Sequence, residues 1–266
     1  MGDFTKMAHT DAKRIVVKVG TSTLTHDNGS INFRRIDALC RVLADLRGEG
    51  KEIVLVTSAA IGVGVSRLAL GKKPTQVALK QAAAAVGQCE LMHTYDKMFS
   101  EYGSVVAQIL LTRDVMDVPE RRRNAENTVE ALLKMGVIPI VNENDTVAVE
   151  EIIFGDNDTL SAMVANLCKA DLLILLSDID GLYDSDPHKN PAARRIPMIH
   201  EITDEIEKGA TGAGTDRGTG GMATKIHAGK IALEAGFDMV IADGADPAVI
   251  YDVLEGKEVG TLFRRK

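Results

Sequence analysis

The chain has 266 residues, a length that fits one large α/β domain or two small ones and can bury a sizeable core. Its hydrophobic content of 45% is near the globular norm, so disorder does not explain its 24 glycines. The net charge of -7 argues against nucleic acid as a partner. No stretch reaches the roughly 18 apolar residues of a membrane span, which argues against a membrane protein.

Three cysteines, Cys40, Cys89 and Cys168, lie in apolar helical patterns and lack the spacing of a structural zinc site. We interpret all three as reduced core thiols, which fits a cytoplasmic protein. Residues 1–13 form a polar leader without the apolar core of a signal peptide. The sequence therefore predicts a soluble, intracellular chain.

Short apolar runs alternate with amphipathic patterns along the chain. The runs predict strands at residues 14–19, 52–56, 104–111, 137–141, 171–176, 238–242 and 260–263. The amphipathic patterns predict helices at residues 32–50, 77–102, 126–135 and 247–254. Three further helices are predicted to begin at the turns at residues 57–62, 155–158 and 218–225. Such alternation is typical of a mainly parallel sheet with helices on both faces.

The predicted fold is therefore α/β, a three-layer αβα sandwich. We expect a single domain over residues 14–266 with two lobes, residues 14–170 and residues 171–266, because no linker or repeat divides it. A charged run at residues 114–124 fits a solvated face, and an alternating segment at residues 151–154 fits a hairpin that projects over a site. The alanine-rich patch around Ala83 allows close approach of another helix or of a second subunit.

The most informative stretch contains two polar clusters, NENDT at residues 142–146 and GDNDT at residues 155–159. The first follows a predicted buried strand, and open α/β sheets bind their ligands at the carboxyl ends of strands. The second precedes a helical pattern that Asn157 or Asp158 can cap. One such cluster alone fits a turn or a cap. Two clusters hold more hydrogen-bond acceptors than capping needs, which favours a functional site.

Two turns of small residues can offer backbone N–H groups to an anion. Lys18 interrupts the first apolar strand beside the turn at residues 20–23, and a lysine there costs desolvation free energy unless it is paired. Lys18 either has no functional role or, as we favour, contacts a phosphate. Ser58 lies in the turn at residues 57–62, where it either caps the following helix or helps to bind an anion.

A glycine-rich stretch, GTGGMATK at residues 218–225, precedes another predicted helix. Glycines let a backbone wrap around a phosphate, and the free N–H groups of the following helix favour an anion. Lys225, one turn into that helix, can point at a terminal phosphate. The spacing matches neither a P-loop nor a dinucleotide fingerprint, and a glycine loop without function is the alternative.

Two lysines, three turns that can bind anions and a set of carboxylates and amides suit phosphoryl transfer, which depends on positioning and charge stabilisation. Mg²⁺ normally accompanies a nucleotide and is held largely by its phosphates, so we predict no metal site made wholly of protein groups. The six histidines fall outside the best site segments. A hydroxyl acceptor usually needs a general base. The lack of a histidine in these segments therefore favours a carboxylate acceptor, which is already ionised at neutral pH and needs no base. An aspartate can also serve as base, so a hydroxyl acceptor remains an alternative.

Five motifs together resemble the amino acid kinase superfamily and, within it, the glutamate 5-kinases. They are VKVGTS (17–22), NEND (142–145), GDND (155–158), SDIDGLY (177–183) and GTGGMATK (218–225), in this order. The resemblance spans residue 14 to the C-terminus. It implies ATP-dependent phosphorylation of the side-chain carboxylate of L-glutamate to L-glutamyl 5-phosphate, the first step of proline biosynthesis.

The resemblance also assigns roles to individual residues. It implies that Lys18 and Lys225 stabilise charge on the transferring phosphoryl group, and that Asp158 orients these lysines instead of accepting a proton. It implies that Ser58, Asp145 and Asn157 bind glutamate, with Asp145 suited to the α-ammonium group. The implied ATP-binding residues are Lys18, Ser177, Asp178, Thr219, Gly220, Gly221, Met222, Ala223, Thr224 and Lys225.

The chain departs from the family pattern in two respects. The usual Ser-Gly-Ala-Ile is here SAAI at residues 58–61, which reduces the backbone freedom at Ala59. Many relatives carry a C-terminal PUA domain, and we expect none here. The resemblance further implies a homo-oligomer, inhibition by proline at a site that overlaps glutamate's, and delivery of a labile acyl phosphate to a reductase.

Two alternatives remain open at this point. Another kinase of the superfamily would phosphorylate acetylglutamate, aspartate, carbamate or UMP; Asp145 separates these acceptors, because one without a free ammonium group has no use for a carboxylate there. A non-catalytic nucleotide-binding protein with a regulatory or storage role is the second alternative. The presence of Lys18, Asp158 and Lys225 argues against it.

Overall fold

One eight-stranded sheet organises the part of the chain that the computed structural model describes, which is residues 9–148, 157–185, 187, 190–210 and 221–265. Its strands are β1 (Arg14–Val19), β2 (Glu52–Val56), β3 (Val106–Leu111), β4 (Ile138–Glu143), β5 (Leu172–Ser177), β6 (Met198–Ile199), β7 (Asp238–Asp243) and β8 (Thr261–Phe263). They lie in the order β3-β4-β2-β1-β5-β7-β8-β6, and only β7 and β8 pair antiparallel among the described strands. The prediction of a mainly parallel sheet is confirmed.

Helices cover both faces of this sheet. They are α1 (Thr21–Leu24), α2 (Phe33–Gly48), α3 (Ala60–Arg67), α4 (Val77–Glu101), α5 (Asp114–Asp117), α6 (Pro119–Lys134), α7 (Asn157–Leu167), α8 (Asp204–Ala210), α9 (Met222–Ala235) and α10 (Val249–Leu254). One apolar core joins the sheet to α2, α3, α4 and α10, and a second joins it to α6, α7 and α9. The predicted three-layer sandwich is therefore confirmed. In the described segments, even the long helix α4 is not apolar enough to cross a lipid bilayer.

The alternation of side chains along β1 places its lysine. Ile15 and Val17 pack into the core on the α2 and α4 side, whereas Val16 packs into the core on the α7 and α9 side. Because successive side chains of a strand point to opposite faces, Lys18 lies on the same face as Val16. Lys18 therefore meets the ends of α7 and α9 where β1 reaches the carboxyl edge of the sheet.

The helices α3 and α4 cross in backbone contact. A Cβ atom on Gly64 would lie 1.8 Å from the carbonyl oxygen of Ala83, and one on Gly87 would lie 1.8 Å from that of Ala60. No side chain fits between backbones this close, so both positions need glycine. Ala83 is fully buried. The expected close approach is thus made inside the chain, and Ala83 is not available to a second subunit.

Several predicted boundaries differ from the structure. Helix α6 begins at Pro119 instead of residue 126, because proline suits the first turn of a helix. The charged side chains that follow Pro119 are compatible with a helix, since they can lie on its solvated face. The short elements α1, α5, α8 and β6 were not predicted, since they are too brief to show a hydrophobic period. The hairpin predicted at residues 151–154 lies outside the described residues.

The three cysteines do not share one environment. Cys40 and Cys168 are buried, as expected, and burial raises the pKa of the Cys168 thiol to about 12. Cys89 is exposed on α4. The interpretation of Cys89 as a core thiol is therefore wrong, because the apolar pattern around it belongs to the neighbouring residues that pack against α3.

Candidate active site

The candidate site lies at the carboxyl edge of the sheet, beside β1 and β5. These strands are parallel neighbours, with Lys18 opposite Leu175. The strand β2, which follows β1 in the sequence, lies beside β1. The described strands that follow β5, namely β6, β7 and β8, lie on the other side of the pair. β1 and β5 thus flank the topological switch point, where open α/β sheets bind their ligands.

Asp158 holds two lysines at this edge. Lys18 Nζ lies 2.5 Å from Asp158 Oδ1, and Lys225 Nζ donates to Asp158 Oδ2 at 3.1 Å. All three residues are buried, with 1% of Asp158, 8% of Lys18 and 6% of Lys225 exposed. Lys18 comes from β1, Asp158 from the first turn of α7 and Lys225 from the first turn of α9. The structure thus brings together the three residues that the sequence singled out as catalytic.

The two lysines keep the Asp158 carboxyl group ionised. Burial alone raises the pKa of Asp158, but the ammonium groups of Lys18 and Lys225 and a hydrogen bond from Thr224 lower it well below its ordinary value. The carboxylate is therefore ionised at neutral pH, and two ammonium groups share its single negative charge. Buried ammonium groups at a ligand site can stabilise a reacting group with developing negative charge.

The side chain of Thr224 belongs to the same cluster. Its hydroxyl lies 2.9 Å from Asp158 Oδ2 and 2.7 Å from the carbonyl oxygen of Gly221. A hydroxyl carries one proton, so it donates to one of these acceptors at a time. Thr224 was predicted as an ATP-binding residue, and in this structure its hydroxyl contacts Asp158.

The described part of the glycine-rich stretch leads into α9. Gly221 is the extended N-cap residue of this helix and has no side chain with which to cap it, so the first N–H groups can meet an anion. Met222 is half-buried and Ala223 is exposed. Thr219 and Gly220, two of the predicted ATP-binding residues, lie outside the described residues.

Three further predicted residues lie at or just after the carboxyl ends of β4 and β5. Ser177 is buried at the end of β5, and its hydroxyl donates to the exposed Asp178 at 3.1 Å. Asp145 is half-buried in the turn after β4. Desolvation and the Lys80 ammonium lower the pKa of Lys73, and the Asp145 carboxylate opposes this shift. Asp145 is therefore close enough to a lysine for their charges to interact.

The amide of Asn157 links the other predicted residues. Its Nδ2 atom donates to the carbonyl oxygen of Thr57 at 2.6 Å and lies 3.0 Å from Ser58 Oγ and 2.9 Å from Asn142 Oδ1. An amide nitrogen carries two hydrogens, so these three acceptors share them. Ser58 and Asn157, both predicted to bind substrate, are thus in direct contact.

The turn that carries Ser58 has an unusual backbone. Ala59, immediately before α3, adopts φ 79° and ψ 2°, the left-handed region. An L-residue is strained there, because its Cβ atom crowds the following carbonyl oxygen. The departure from the family's usual glycine therefore falls on a position whose backbone favours glycine.

Sequence reasoning gave no role to three residues of this network. Thr57 and Asn142 are almost fully buried, and Gln88 of α4 accepts a hydrogen bond from Asn142 Nδ2 at 2.8 Å. The position of Asn142 at a strand end was a usable signal. For Gln88 the signal was a polar residue directly after Gly87 and a run of four alanines.

The sequence matches the amino acid kinase family over residues 13–243. This match covers the strands and helices that carry Lys18, Asp158 and Lys225. The chain belongs to the amino acid kinase family. The superfamily resemblance drawn from five motifs is confirmed.

Curated relatives match nearly the full length of the chain. It is 56% identical over 260 residues to the glutamate 5-kinase of Clostridium perfringens, covering 96% of this chain and 97% of that protein. It is 55% identical over 260 residues to the glutamate 5-kinase of Listeria innocua, covering 96% and 94%. It is 54% identical over 254 residues to that of Symbiobacterium thermophilum, covering 96% and 97%. The expected similarity to glutamate 5-kinases is confirmed.

Solved structures support the fold. The UMP kinase of Bacillus anthracis superposes with a TM-score of 0.65 at 17% identity, covering 95% of this chain and 96% of that chain. The UMP kinase of Ureaplasma parvum gives a TM-score of 0.65 at 16% identity, covering 96% and 99%. At these identities the likeness concerns the fold alone.

Proposed function

We propose that the chain transfers the terminal phosphoryl group of ATP to the side-chain carboxylate of L-glutamate, giving L-glutamyl 5-phosphate and ADP, the first step of proline biosynthesis. One observation carries the proposal: Asp158 binds two buried lysines while the adjacent Asn157 contacts Ser58. Similarity to glutamate 5-kinases over 96% of the chain selects the acceptor.

Lys18 and Lys225 are proposed to stabilise the phosphoryl group during transfer, when negative charge is spread over its oxygens. Asp158 keeps the two ammonium groups close together in spite of their mutual repulsion. It has no proton to accept, because a glutamate side chain with a pKa of about 4.3 is already ionised at neutral pH. The lowered pKa of Asp158 also makes it a poor base.

Ser58, Asn157 and Asp145 are proposed to hold glutamate. The hydroxyl of Ser58 and the amide of Asn157 lie beside the lysine cluster and can meet the acceptor carboxylate. Asp145, at the end of the adjacent strand β4, suits the α-ammonium group. Acetylglutamate, carbamate and UMP lack that ammonium group, and aspartate is shorter by one methylene.

ATP is proposed to bind at the start of α9, whose glycine N-cap and Lys225 fit a polyphosphate. Ser177, Asp178, Thr219 and Gly220 are assigned to the same nucleotide. Within the described residues, no group of three or more His, Cys, Asp or Glu side chains is placed to hold a metal ion. We therefore assign Mg²⁺ to the phosphates, where it neutralises part of their charge.

The wider setting follows the family pattern. We propose that residues 14–170 bind glutamate and residues 171–266 bind ATP, in a homo-oligomer located in the cytoplasm. We also propose that proline competes with glutamate. The acyl phosphate product is labile, so a reductase must consume it soon after its release.

The proposal is tested by measuring ADP release with ATP and Mg²⁺ in the presence of L-glutamate, N-acetylglutamate, aspartate, carbamate or UMP. Hydroxylamine is included because it traps an acyl phosphate as a hydroxamate. We expect turnover and hydroxamate with glutamate alone. Turnover with a different acceptor would overturn the substrate, and no turnover with any of the five would favour a non-catalytic nucleotide-binding protein.

A further inference from the structure

Gln88 is a buried polar residue of α4, between the buried residues Ala84 and Leu91. It is 9% exposed, and its Oε1 atom accepts a hydrogen bond from Asn142 Nδ2 at 2.8 Å. Asn142 in turn accepts from Asn157 Nδ2 at 2.9 Å. Three amides thus form a chain that leads from α4 to the residue beside Ser58.

This chain of amides has a fixed direction. An amide carries a donor on one side and an acceptor on the other, so the group that meets Gln88 Oε1 must be the nitrogen of Asn142. The oxygen of Asn142 then faces Asn157, and only the nitrogen of Asn157 can donate to it. If Gln88 were turned over, two amide nitrogens would oppose each other at the Asn142 contact. The orientation of Gln88 therefore supports that of Asn157, whose nitrogen also donates to the carbonyl oxygen of Thr57.

The position of Gln88 is itself firmly held. Its neighbour Gly87 packs directly on the backbone of Ala60, where an added Cβ atom would lie 1.8 Å from the carbonyl oxygen. Tyr95, about two turns further along α4, exchanges a buried hydrogen bond of 2.8 Å with Thr57 Oγ1. The carbonyl oxygen of Thr57 also accepts from Asn157. Helix α4 therefore contacts both the first residue of α3 and the turn that precedes it.

The nitrogen atom of the Gln88 amide is buried at a cost in free energy. Within the described part of the chain, its buried Nε2 atom has no hydrogen-bond partner. A buried donor without a partner is unfavourable, and an apolar side chain of the same size would avoid this. Packing alone therefore does not account for a glutamine here, whereas the acceptor oxygen that it offers to Asn142 does.

We propose that Gln88 is a positioning residue for the phosphate acceptor: through Asn142 it holds the Asn157 amide in the orientation that glutamate meets. This inference rests on the proposed function, since it assigns Asn157 to the acceptor. Gln88 acts through Asn142, and the lysine cluster on Asp158 does not depend on it. Loss of Gln88 should therefore weaken acceptor binding and leave ATP binding intact.

The test compares variants of the full chain in steady-state kinetics. Gln88→Met keeps the length of the side chain and removes the acceptor oxygen, whereas Gln88→Glu keeps an oxygen for Asn142 Nδ2. We expect Gln88→Met to raise the KM for glutamate about tenfold and to leave the KM for ATP within about twofold, a difference of about one lost hydrogen bond. Gln88→Glu should restore most of the glutamate KM. Gln81→Met, a partly exposed position on the same helix, is the matched control.

An unchanged glutamate KM in Gln88→Met would overturn the inference, as would an equal rise in the KM for ATP or no recovery in Gln88→Glu. If Gln88→Met does not fold, Gln88→Asn replaces it, because its acceptor oxygen lies one methylene further from Asn142. This variant should likewise raise the KM for glutamate and leave the KM for ATP within about twofold. Parent protein that turns over an acceptor other than glutamate would refute the proposed function alone. The KM for that acceptor would then decide the role of Gln88.

Discussion

Asn157 and Asp158 are consecutive residues, yet their side chains take part in two different polar networks. Asn157 Nδ2 lies 3.0 Å from Ser58 Oγ, while Asp158 Oδ2 accepts from Lys225 Nζ at 3.1 Å. One peptide unit on the first turn of α7 therefore sets the spacing between the proposed acceptor site and the lysine cluster. Phosphoryl transfer depends on this kind of positioning.

Replacing Asp158 leaves two buried lysines without their shared counter-ion. We expect Asp158→Asn to lower the free energy of unfolding by about 3–5 kcal/mol at pH 7, the usual cost of removing one partner of a buried ion pair. The folded-state pKa of Asp158 is lowered, so its stabilisation is complete above the unfolded pKa of about 3.9 and is lost as pH falls below it.

Urea unfolding of parent and Asp158→Asn between pH 7 and pH 3 measures this effect. The difference in stability should be constant down to about pH 4 and then begin to narrow. A difference that does not change with pH would contradict the assigned ion pairs. Asp171→Asn is a suitable control, because that carboxylate is exposed and accepts its hydrogen bonds from the backbone N–H groups of residues 13 and 14.

Thr224 is expected to affect kcat more than ATP binding, because its hydroxyl contacts Asp158. A hydrogen bond to a charged group contributes about 1.5–3 kcal/mol, so Thr224→Val should lower kcat by roughly 10- to 100-fold. Thr224→Ser keeps the hydroxyl and should recover most of the rate. A raised KM for ATP with unchanged kcat in Thr224→Val would instead favour a direct ATP contact.

The left-handed backbone of Ala59 predicts that glycine is the more stable residue there. Ala59→Gly should raise the free energy of unfolding by about 1 kcal/mol, because glycine adopts φ 79° without strain. For a chain of this size that is a rise in Tm of roughly 2–4 °C. Ala60→Gly, one residue later in α3, should instead destabilise by about 0.5–1 kcal/mol. Equal effects of the two changes in thermal unfolding would refute the assigned strain.

The crossing of α3 and α4 predicts a large penalty for a single added methyl group. Gly87→Ala would place a Cβ atom 1.8 Å from the carbonyl oxygen of Ala60, and we expect it to cost about 3 kcal/mol or more. Gly48→Ala at the end of α2 meets nothing within 4 Å and should stabilise slightly. Denaturant unfolding compares the two, and a Gly87→Ala protein as stable as its parent would contradict the crossing.

The sheet and much of the site were readable from the sequence, for local reasons. β1, β2 and β5 are short β-branched or leucine-rich runs, so the pattern alone defined them within a residue. Lys18 stood out as the charged member of such a run. Lys225 stood out one turn into a predicted helix, whereas the role of Asp158 came from the family resemblance.

Other features depend on contacts that no local pattern contains. Gln88 and Asn142 are 54 residues apart, and their hydrogen bond exists only because α4 packs beside β4. The exposure of Cys89 follows from the way in which Gly87 faces α3. The backbone of Ala59 is set by the turn that joins β2 to α3, where the alanine itself favours an ordinary helical conformation.

The most direct test of the account is the kinetics of Lys225→Ala with glutamate, ATP and Mg²⁺. If Lys225 stabilises charge that develops during transfer, kcat should fall by about 100- to 1,000-fold while the KM for ATP changes only a few-fold. Lys230→Ala, on the same helix and half exposed beside Glu207, should leave both constants unchanged. An unchanged kcat in Lys225→Ala would contradict the role that the account gives to the cluster on Asp158.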